Sequence, residues 1–426
     1  MKKSFLLFLL PFLSIALPAQ KIMGNWEGNI EINGNKLPIV FHFTKNDAGK
    51  IDGKWDSPKQ NAMSLPFSSI NNDEDSLHLE IKMISGSYAG KFIGNDSITG
   101  TWKQNAAELP LNFSRATVDS ESPPNTAPLH PGEKEIAITS AAGSKLYGTL
   151  LSKNNQQPLA IIFAGSGPTD RDGNSSMGIT TNEYQMLAYS LDSQNIASFR
   201  FDKRGVGKSI PSDFSESDLL FNDYVKDAEK IFDYLRDTLG FKNIYFVGHS
   251  EGSLIAMLAA AQKKKVSGYI SIAGAGRPID EILEEQLQKA PWPDSVKEQI
   301  APIFNQLKKG NEVDKIPAPL EPVFRKSVQP YMISWLKYTP VAEIKKLTCP
   351  ILIVQGTCDI QVKVKDAQNL HEANKRSILK IVPGMSHTLK NAGADCVDEQ
   401  KTYTDGSMPV DRLMIKDIVE FIKAAK

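Results

Sequence analysis

The sequence predicts an α/β domain with a mostly parallel sheet and a helical cap, preceded by a small antiparallel all-β domain. Three observations predict it. Between residues 24 and 116, short runs alternate apolar and polar residues and are separated by turn signals, with hardly a helix-length periodic stretch. After Glu133, apolar strand-like runs alternate with helical ones, the rhythm of a parallel sheet with helices on both faces. Between about 276 and 347 that rhythm breaks into amphipathic and acidic helical pieces, which read as a cap inserted between two sheet strands.

Residues 1–19 differ from the rest. Lys2 and Lys3 supply a positive start, Phe5 to Leu17 is almost unbroken apolar chain, and Leu17-Pro18-Ala19 closes it with a small residue. This is the pattern of a secretory signal peptide, which implies export to a periplasmic or extracellular location. A membrane anchor is the alternative, but the apolar run is shorter than the roughly 20 residues that span a bilayer, so no stable membrane span is expected once the signal is cleaved. The remaining chain would carry a net charge of about −2 from 49 basic and 49 acidic residues in the whole sequence, which recruits no nucleic acid.

From Asn25 to Arg115 the strand-like runs include Leu37-Pro-Ile-Val-Phe-His-Phe43, Ser76-Leu-His-Leu-Glu-Ile-Lys-Met83 and Leu109-Pro-Leu-Asn-Phe113, separated by Asn-Gly, Asp-Ala-Gly and Gly-Asn-Asp turns. They predict roughly eight antiparallel strands. A Gly-x-aromatic pattern recurs at Gly24-Asn-Trp26, Gly53-Lys-Trp55, Gly90-Lys-Phe92 and Gly100-Thr-Trp102. These rings read as the filling of a small barrel or sandwich rather than as a ligand surface, so no chemistry is assigned to this domain. Residues 117–133, rich in Pro, Ser, Asn, Asp and Glu without apolar periodicity, read as a linker.

The α/β domain, residues 134–426, carries the chemistry. Ile244-Tyr-Phe-Val runs into Gly248-His249-Ser250-Glu251-Gly252, and Ser253-Leu-Ile-Ala-Met continues as a helix, so Gly-x-Ser-x-Gly stands in the strand-turn-helix setting of a nucleophile. A serine hydroxyl needs a base and a group that orients the base. Of six histidines, His42 and His78 lie in the β domain, His130 in the linker and His371 in a helical run. His249, beside the nucleophile, is expected to be aimed elsewhere by the turn. His387, in a loop after the strand Ile378-Leu-Lys-Ile-Val, is the candidate base. Asp359, at the end of Ile351-Leu-Ile-Val-Gln-Gly-Thr-Cys, is the candidate acid, with Asp280 as the alternative. The oxyanion donors are expected to be the N–H of Glu251 and that of Ser166, with Gly167 second, from the turn Ala164-Gly-Ser-Gly-Pro168.

Two motifs are set aside. Gly205-Val-Gly207-Lys-Ser209 resembles the end of a phosphate loop but has Asp202 where that motif needs glycine. The charges in Asp170-Arg-Asp172 and Asp202-Lys-Arg204 read as loop-fixing ion pairs. Three cysteines are too few for a disulfide scaffold and lack zinc-site spacing. Cys358 and Cys396 are the better pair for one bridge, since Cys349 begins an apolar strand; three unpaired thiols are the alternative.

Taken together, Ala164-Gly-Ser-Gly-Pro, Phe201-Asp-Lys-Arg-Gly-Val-Gly-Lys-Ser, Gly248-His-Ser-Glu-Gly, Cys349-Pro-Ile-Leu-Ile-Val-Gln-Gly-Thr-Cys-Asp359 and Met385-Ser-His387 resemble the α/β-hydrolase superfamily, in the branch of bacterial carboxylesterases related to serine aminopeptidases and dienelactone hydrolases. The resemblance covers about Glu133 to the C-terminus. Ala164 departs from it, standing where many relatives carry histidine. It implies a carboxylesterase that cleaves short-chain acyl esters, small-molecule substrates, through an acyl-enzyme and without metal or organic cofactor. A serine aminopeptidase or thioesterase on the same triad is the alternative, and a non-catalytic binding protein on this scaffold a second.

Overall fold

The structure is a computed structural model. It describes residues 21–424 except 33–34, 46–49, 58–61, 74, 105–106, 117–129, 176–178 and 212. The leader pattern at 1–19 and most of the linker segment 117–133 lie outside the described residues. The chain divides into two compact units, one of Met1–Ser57 and Pro66–Glu121, the other of Pro58–Leu65 and Ser122–Lys426.

The N-terminal sheet is antiparallel and has nine strands, one more than the turn count predicts, because the stretch after Ser57 forms two short strands. They are β1 Gly24–Ile32, β2 Asn35–Lys45, β3 Ile51–Ser57, β4 Ala62–Pro66, β5 Ser69–Asn72, β6 Ser76–Ile81, β7 Gly86–Ile93, β8 Ser97–Gln104 and β9 Ala107–Arg115, in spatial order 4-3-2-1-9-8-7-6-5. The rings of the Gly-x-aromatic pattern, Trp26, Trp55, Phe92 and Trp102, are all buried, with Trp26 against Phe92 at 5.9 Å and Trp55 against Trp102 at 5.7 Å. The glycines have a packing reason. Gly90 and Gly100 are cross-strand partners, and a Cβ on either would strike the Tyr88 ring, at 2.7 Å and 2.4 Å from its hydroxyl. Large rings thus lie over bare backbone on the inner face.

The second sheet has eight strands: β10 Glu133–Thr139, β11 Lys145–Leu151, β12 Leu159–Phe163, β13 Ala197–Phe201, β14 Ile244–His249, β15 Gly268–Ile272, β16 Ile351–Gly356 and β17 Ile378–Val382. Their order is 10-11-13-12-14-15-16-17. The pairs β10–β11 and β11–β13 are antiparallel and the rest parallel. Strands β12 to β16 are buried on both faces, which is why they read as mostly apolar runs rather than as strict alternation. Side chains still alternate between two cores. Leu159, Ile161 and Phe163 meet one layer containing α2 (Phe221–Asp233), α3 (Glu251–Gln262) and cap helices, while Ala160 and Ile162 meet another containing α1 (Glu183–Ser193) and the C-terminal helix Arg412–Ala424.

The segment between β15 and β16 holds the helices Ile279–Gln288, Asp294–Lys297, Ile300–Lys308 and Gln329–Trp335. The helical run over residues 293–308 forms two helices, Asp294–Lys297 and Ile300–Lys308. Pro302 has no N–H for a bond back to Glu298, so the helix restarts with this proline in its first turn. In Ile279–Gln288, Ile279, Ile282 and Leu287 are buried and Glu281 is exposed. Asp280 is buried and paired with Lys308 at 2.5 Å. Cys358 and Cys396 form a disulfide with Cα atoms 5.3 Å apart, and Cys349 is free. Among the described residues no helix is long and apolar enough to cross a membrane.

Candidate active site

Parallel strands present their carboxyl ends along one edge, and the predicted site residues follow those ends. Ser250 follows β14, Asp359 follows β16, His387 follows β17, and Ser166 and Gly167 follow β12.

Ser250 sits at φ 54°, ψ −120°, a conformation strained for a residue with a side chain. Its backbone is pinned on both sides, Ser250 N–H donating to the Ile272 carbonyl and Ser253 N–H to that of Ser250, each at 3.0 Å. The flanking glycines make the turn feasible. A Cβ on Gly248 would lie 2.4 Å from the Gly252 carbonyl oxygen, and one on Gly252 only 2.2 Å from that of Phe163. Glu251 opens α3, so its N–H has no intrahelical acceptor.

His387 and Asp359 are joined, His387 Nδ1 lying 2.9 Å from Asp359 Oδ2. Asp359 also accepts from Gln361 N–H and Val362 N–H on Oδ1, each at 2.8 Å, and from Gln355 Nε2 on Oδ2 at 3.0 Å. An acceptor-only carboxylate requires Nδ1 to donate, which leaves Nε2 of a neutral imidazole as the free base. Burial opposes charge on both groups. The opposite charge and the shared hydrogen bond outweigh it, holding His387 above the ordinary histidine value and Asp359 below the ordinary aspartate value. The alternative acid, Asp280, pairs with Lys308 instead. Among the described residues no hydrogen bond joins Ser250 Oγ to His387, a contact that often tightens only around a substrate.

Both ring nitrogens of His249 are engaged by groups other than Ser250. Its ring lies 4.8 Å from that of His387, with Nδ1 2.7 Å from the Tyr184 hydroxyl and Nε2 2.8 Å from the His387 carbonyl. The proton positions follow from one acceptor. The His387 carbonyl can only accept, so Nε2–H donates to it, and Nδ1 of the neutral ring accepts from the Tyr184 hydroxyl, whose oxygen accepts from Gly165 N–H at 2.9 Å. Burial, then the charge of His387, push His249 down to about 3, so it stays neutral. Burial likewise raises Glu183, 3.7 Å from His249 Nδ1, to about 7. Tyr184 and Glu183 belong to α1, where they read as ordinary helix residues; no sequence signal marks them.

The turn after β12 reaches the nucleophile, since a Cβ on Gly165 would lie 3.4 Å from Ser250 Cβ. Ser166 is exposed, its N–H has no acceptor among the described residues, and Gly167 has φ +73°. The neighbouring charges do form ion pairs: Arg171 with Asp202 at 2.7 Å, Arg200 with Asp172 at 2.6 Å, and Arg204 with Asp227 at 2.7 Å. Gly207, of the phosphate-loop look-alike, is needed because a Cβ there would lie 2.7 Å from the Asp202 carboxylate. Among the described residues no group of three His, Cys, Asp or Glu is placed to hold a metal ion.

Residues 175–330 match the family Hydrolase_4, described as serine aminopeptidase, S33. The chain is 27% identical over 286 residues to Esterase EstD of Thermotoga maritima, covering 64% of this chain and 63% of that one. It is 24% identical over 206 residues to Serine hydrolase BPHL of Homo sapiens, covering 46% and 64%. The chain thus spans less than two thirds of either relative. A solved structure of Est1E from Butyrivibrio proteoclasticus with bound ferulic acid is similar, at 21% identity, 68% and 96% coverage and a TM-score of 0.47.

Proposed function

We propose that this chain, a member of the α/β-hydrolase superfamily, hydrolyses short-chain carboxylic esters through Ser250, His387 and Asp359. The observation that carries the proposal is the Asp359–His387 pair, which presents an unprotonated Nε2 on the strand edge that carries the strained serine. Ser250 Oγ attacks the ester carbonyl while His387 Nε2 takes the hydroxyl proton. The N–H groups of Glu251 and Ser166, with Gly167 second, hold the oxyanion. Collapse expels the alcohol, which receives the proton from His387; water, deprotonated by the same nitrogen, then releases the acid and restores the serine. Asp359 orients the imidazole and does not take the proton.

The similarity to a protein named an esterase supports ester substrates over amides. The leader pattern at residues 1–19 supports export, and the Cys358–Cys396 bridge suits an oxidising compartment. Short-chain p-nitrophenyl esters should be cleaved with a kcat/KM at least 100-fold above any amino-acid p-nitroanilide, and Ser250→Ala should lower kcat by about 10⁴ to 10⁶ with folding unaffected. Comparable anilide cleavage would replace the esterase reading by the aminopeptidase one. A Ser250→Ala protein retaining a tenth of wild-type kcat would remove the nucleophile.

A further inference from the structure

Lys203 is a charged side chain that the triad does not use. It lies beyond β13, between Asp202 and Arg204, whose charges are engaged by Arg171 and Asp227. Lys203 is 3% exposed. Its Nζ donates to the Gly165 carbonyl at 2.5 Å, lies 3.3 Å from Glu251 Oε1, and stands 5.1 Å from the centre of the Tyr224 ring. The reading of this lysine as one of several loop-fixing ion pairs therefore misses its main partner, a backbone carbonyl.

The identity of that carbonyl matters. Gly165 C=O and Ser166 N–H are two ends of one peptide group, and no peptide bond among the described residues is cis. In a trans peptide the C=O and N–H bonds point in opposite directions, so a cation on the oxygen grips the group from the side opposite its N–H. Amide resonance carries the effect across: charge drawn onto the oxygen leaves the N–H a stronger donor. The preceding peptide is held as well, its Gly165 N–H donating to Tyr184. The same ammonium also meets the side chain of Glu251, whose backbone N–H is the other candidate donor.

We propose that Lys203 is a positioning residue of the oxyanion hole, fixing and polarising the Gly165–Ser166 peptide while Glu251 holds the lysine in place. Stability alone does not call for this arrangement, because a buried ion pair replaced by apolar groups of similar volume is often neutral or better. The proposal rests on the serine-hydrolase reading above.

The test uses the full chain as Lys203→Met and as Lys203→Met/Glu251→Gln, the second leaving no buried carboxylate unpaired. Four quantities are measured: kcat and KM on p-nitrophenyl acetate, the inhibition constant of an alkyl trifluoromethyl ketone whose serine adduct carries an oxyanion, and Tm. Loss of a whole oxyanion donor costs about 10² to 10³ in kcat, so loss of its positioning should cost the double variant about 10- to 100-fold. KM should stay within about threefold and ketone affinity should fall in parallel with kcat. A folded double variant with kcat within threefold of wild type overturns the proposal, as does a loss of kcat with ketone affinity unchanged. Failure of both variants to fold assigns Lys203 a purely structural role and overturns it too. Wild-type protein that cleaves no ester, or is indifferent to Ser250→Ala, would instead sink the underlying reading.

Discussion

Two histidine rings 4.8 Å apart do different work because their partners differ. His387 faces a carboxylate and is held above the ordinary histidine value, whereas His249 faces a hydroxyl and a carbonyl and is pushed down to about 3. Only neutral His387 can act as a base. Rate profiles should therefore show kcat/KM rising with pH through one ionisation above about 6.5, the unperturbed histidine value; a flat profile from pH 5 to 9 would remove the imidazole from the reaction. Stability runs in opposite senses at the two rings. The raised ionisation of His387 stabilises the fold fully below about pH 6.5, and that contribution is lost as pH rises through its folded value. The lowered ionisation of His249 stabilises above about 6.5 and is lost as pH falls toward 3. Tyr184→Phe leaves Gly165 N–H without its acceptor and His249 Nδ1 without its donor. Tm should fall, since an unsatisfied buried group costs about 1–3 kcal/mol, and steady-state kinetics should show kcat down about tenfold as the turn at Gly165 loses its tether; unchanged kcat would make these contacts incidental to catalysis.

At the scale of elements, the site depends on loops rather than on strands alone. Asp359 follows Cys358, and His387 opens the long segment that contains Cys396, so one disulfide ties the turn of Asp359 to the region following His387. The bridge spans 38 residues, and closing a loop of that length stabilises by about 3 to 5 kcal/mol in the chain-entropy account. Cys396→Ser should therefore lower Tm by several degrees and reduce kcat more than KM, as the Asp359 turn loses its tether; an unchanged Tm would show that the bridge contributes nothing. Thiol labelling should not confuse the comparison, because burial pushes Cys349 up to about 11 and leaves it little thiolate at neutral pH. Cap and acid turn are also connected, Gln286 Nε2 donating to the Gln361 carbonyl at 3.1 Å.

For the whole molecule, every contact assigned to the site joins residues within 122–426, which form one compact unit together with Pro58–Leu65. A chain starting at His130 keeps Glu133, whose carboxylate pairs with buried Arg200 at 2.7 Å at the first strand of the second sheet. Such a chain should fold and retain kcat on small esters within a few fold. A soluble, folded truncation with activity lost would show that the β unit contributes to catalysis. The match of residues 175–330 to a hydrolase family likewise falls inside this unit.

Much of this was written locally in the chain. Glycine spacing around Ser250, the apolar runs of β12 to β16 and the order of serine, aspartate and histidine are contiguous or ordered signals, because a tight turn and a doubly buried strand each impose requirements on neighbouring residues. The antiparallel sheet was legible for the same reason, its turns and Gly-x-aromatic pattern being short-range. What tertiary structure decided were the contacts among distant residues: Tyr184 with His249, His249 with the His387 carbonyl, and Lys203 with Gly165 and Glu251. These depend on strand order, above all on β12 lying between β13 and β14, so that the turn after β12 has Lys203, after β13, on one side and Ser250, after β14, on the other. No local pattern encodes such a meeting, because polar side chains that close a buried network are chosen by what packing leaves unsatisfied, and that is settled only when the sheet has formed.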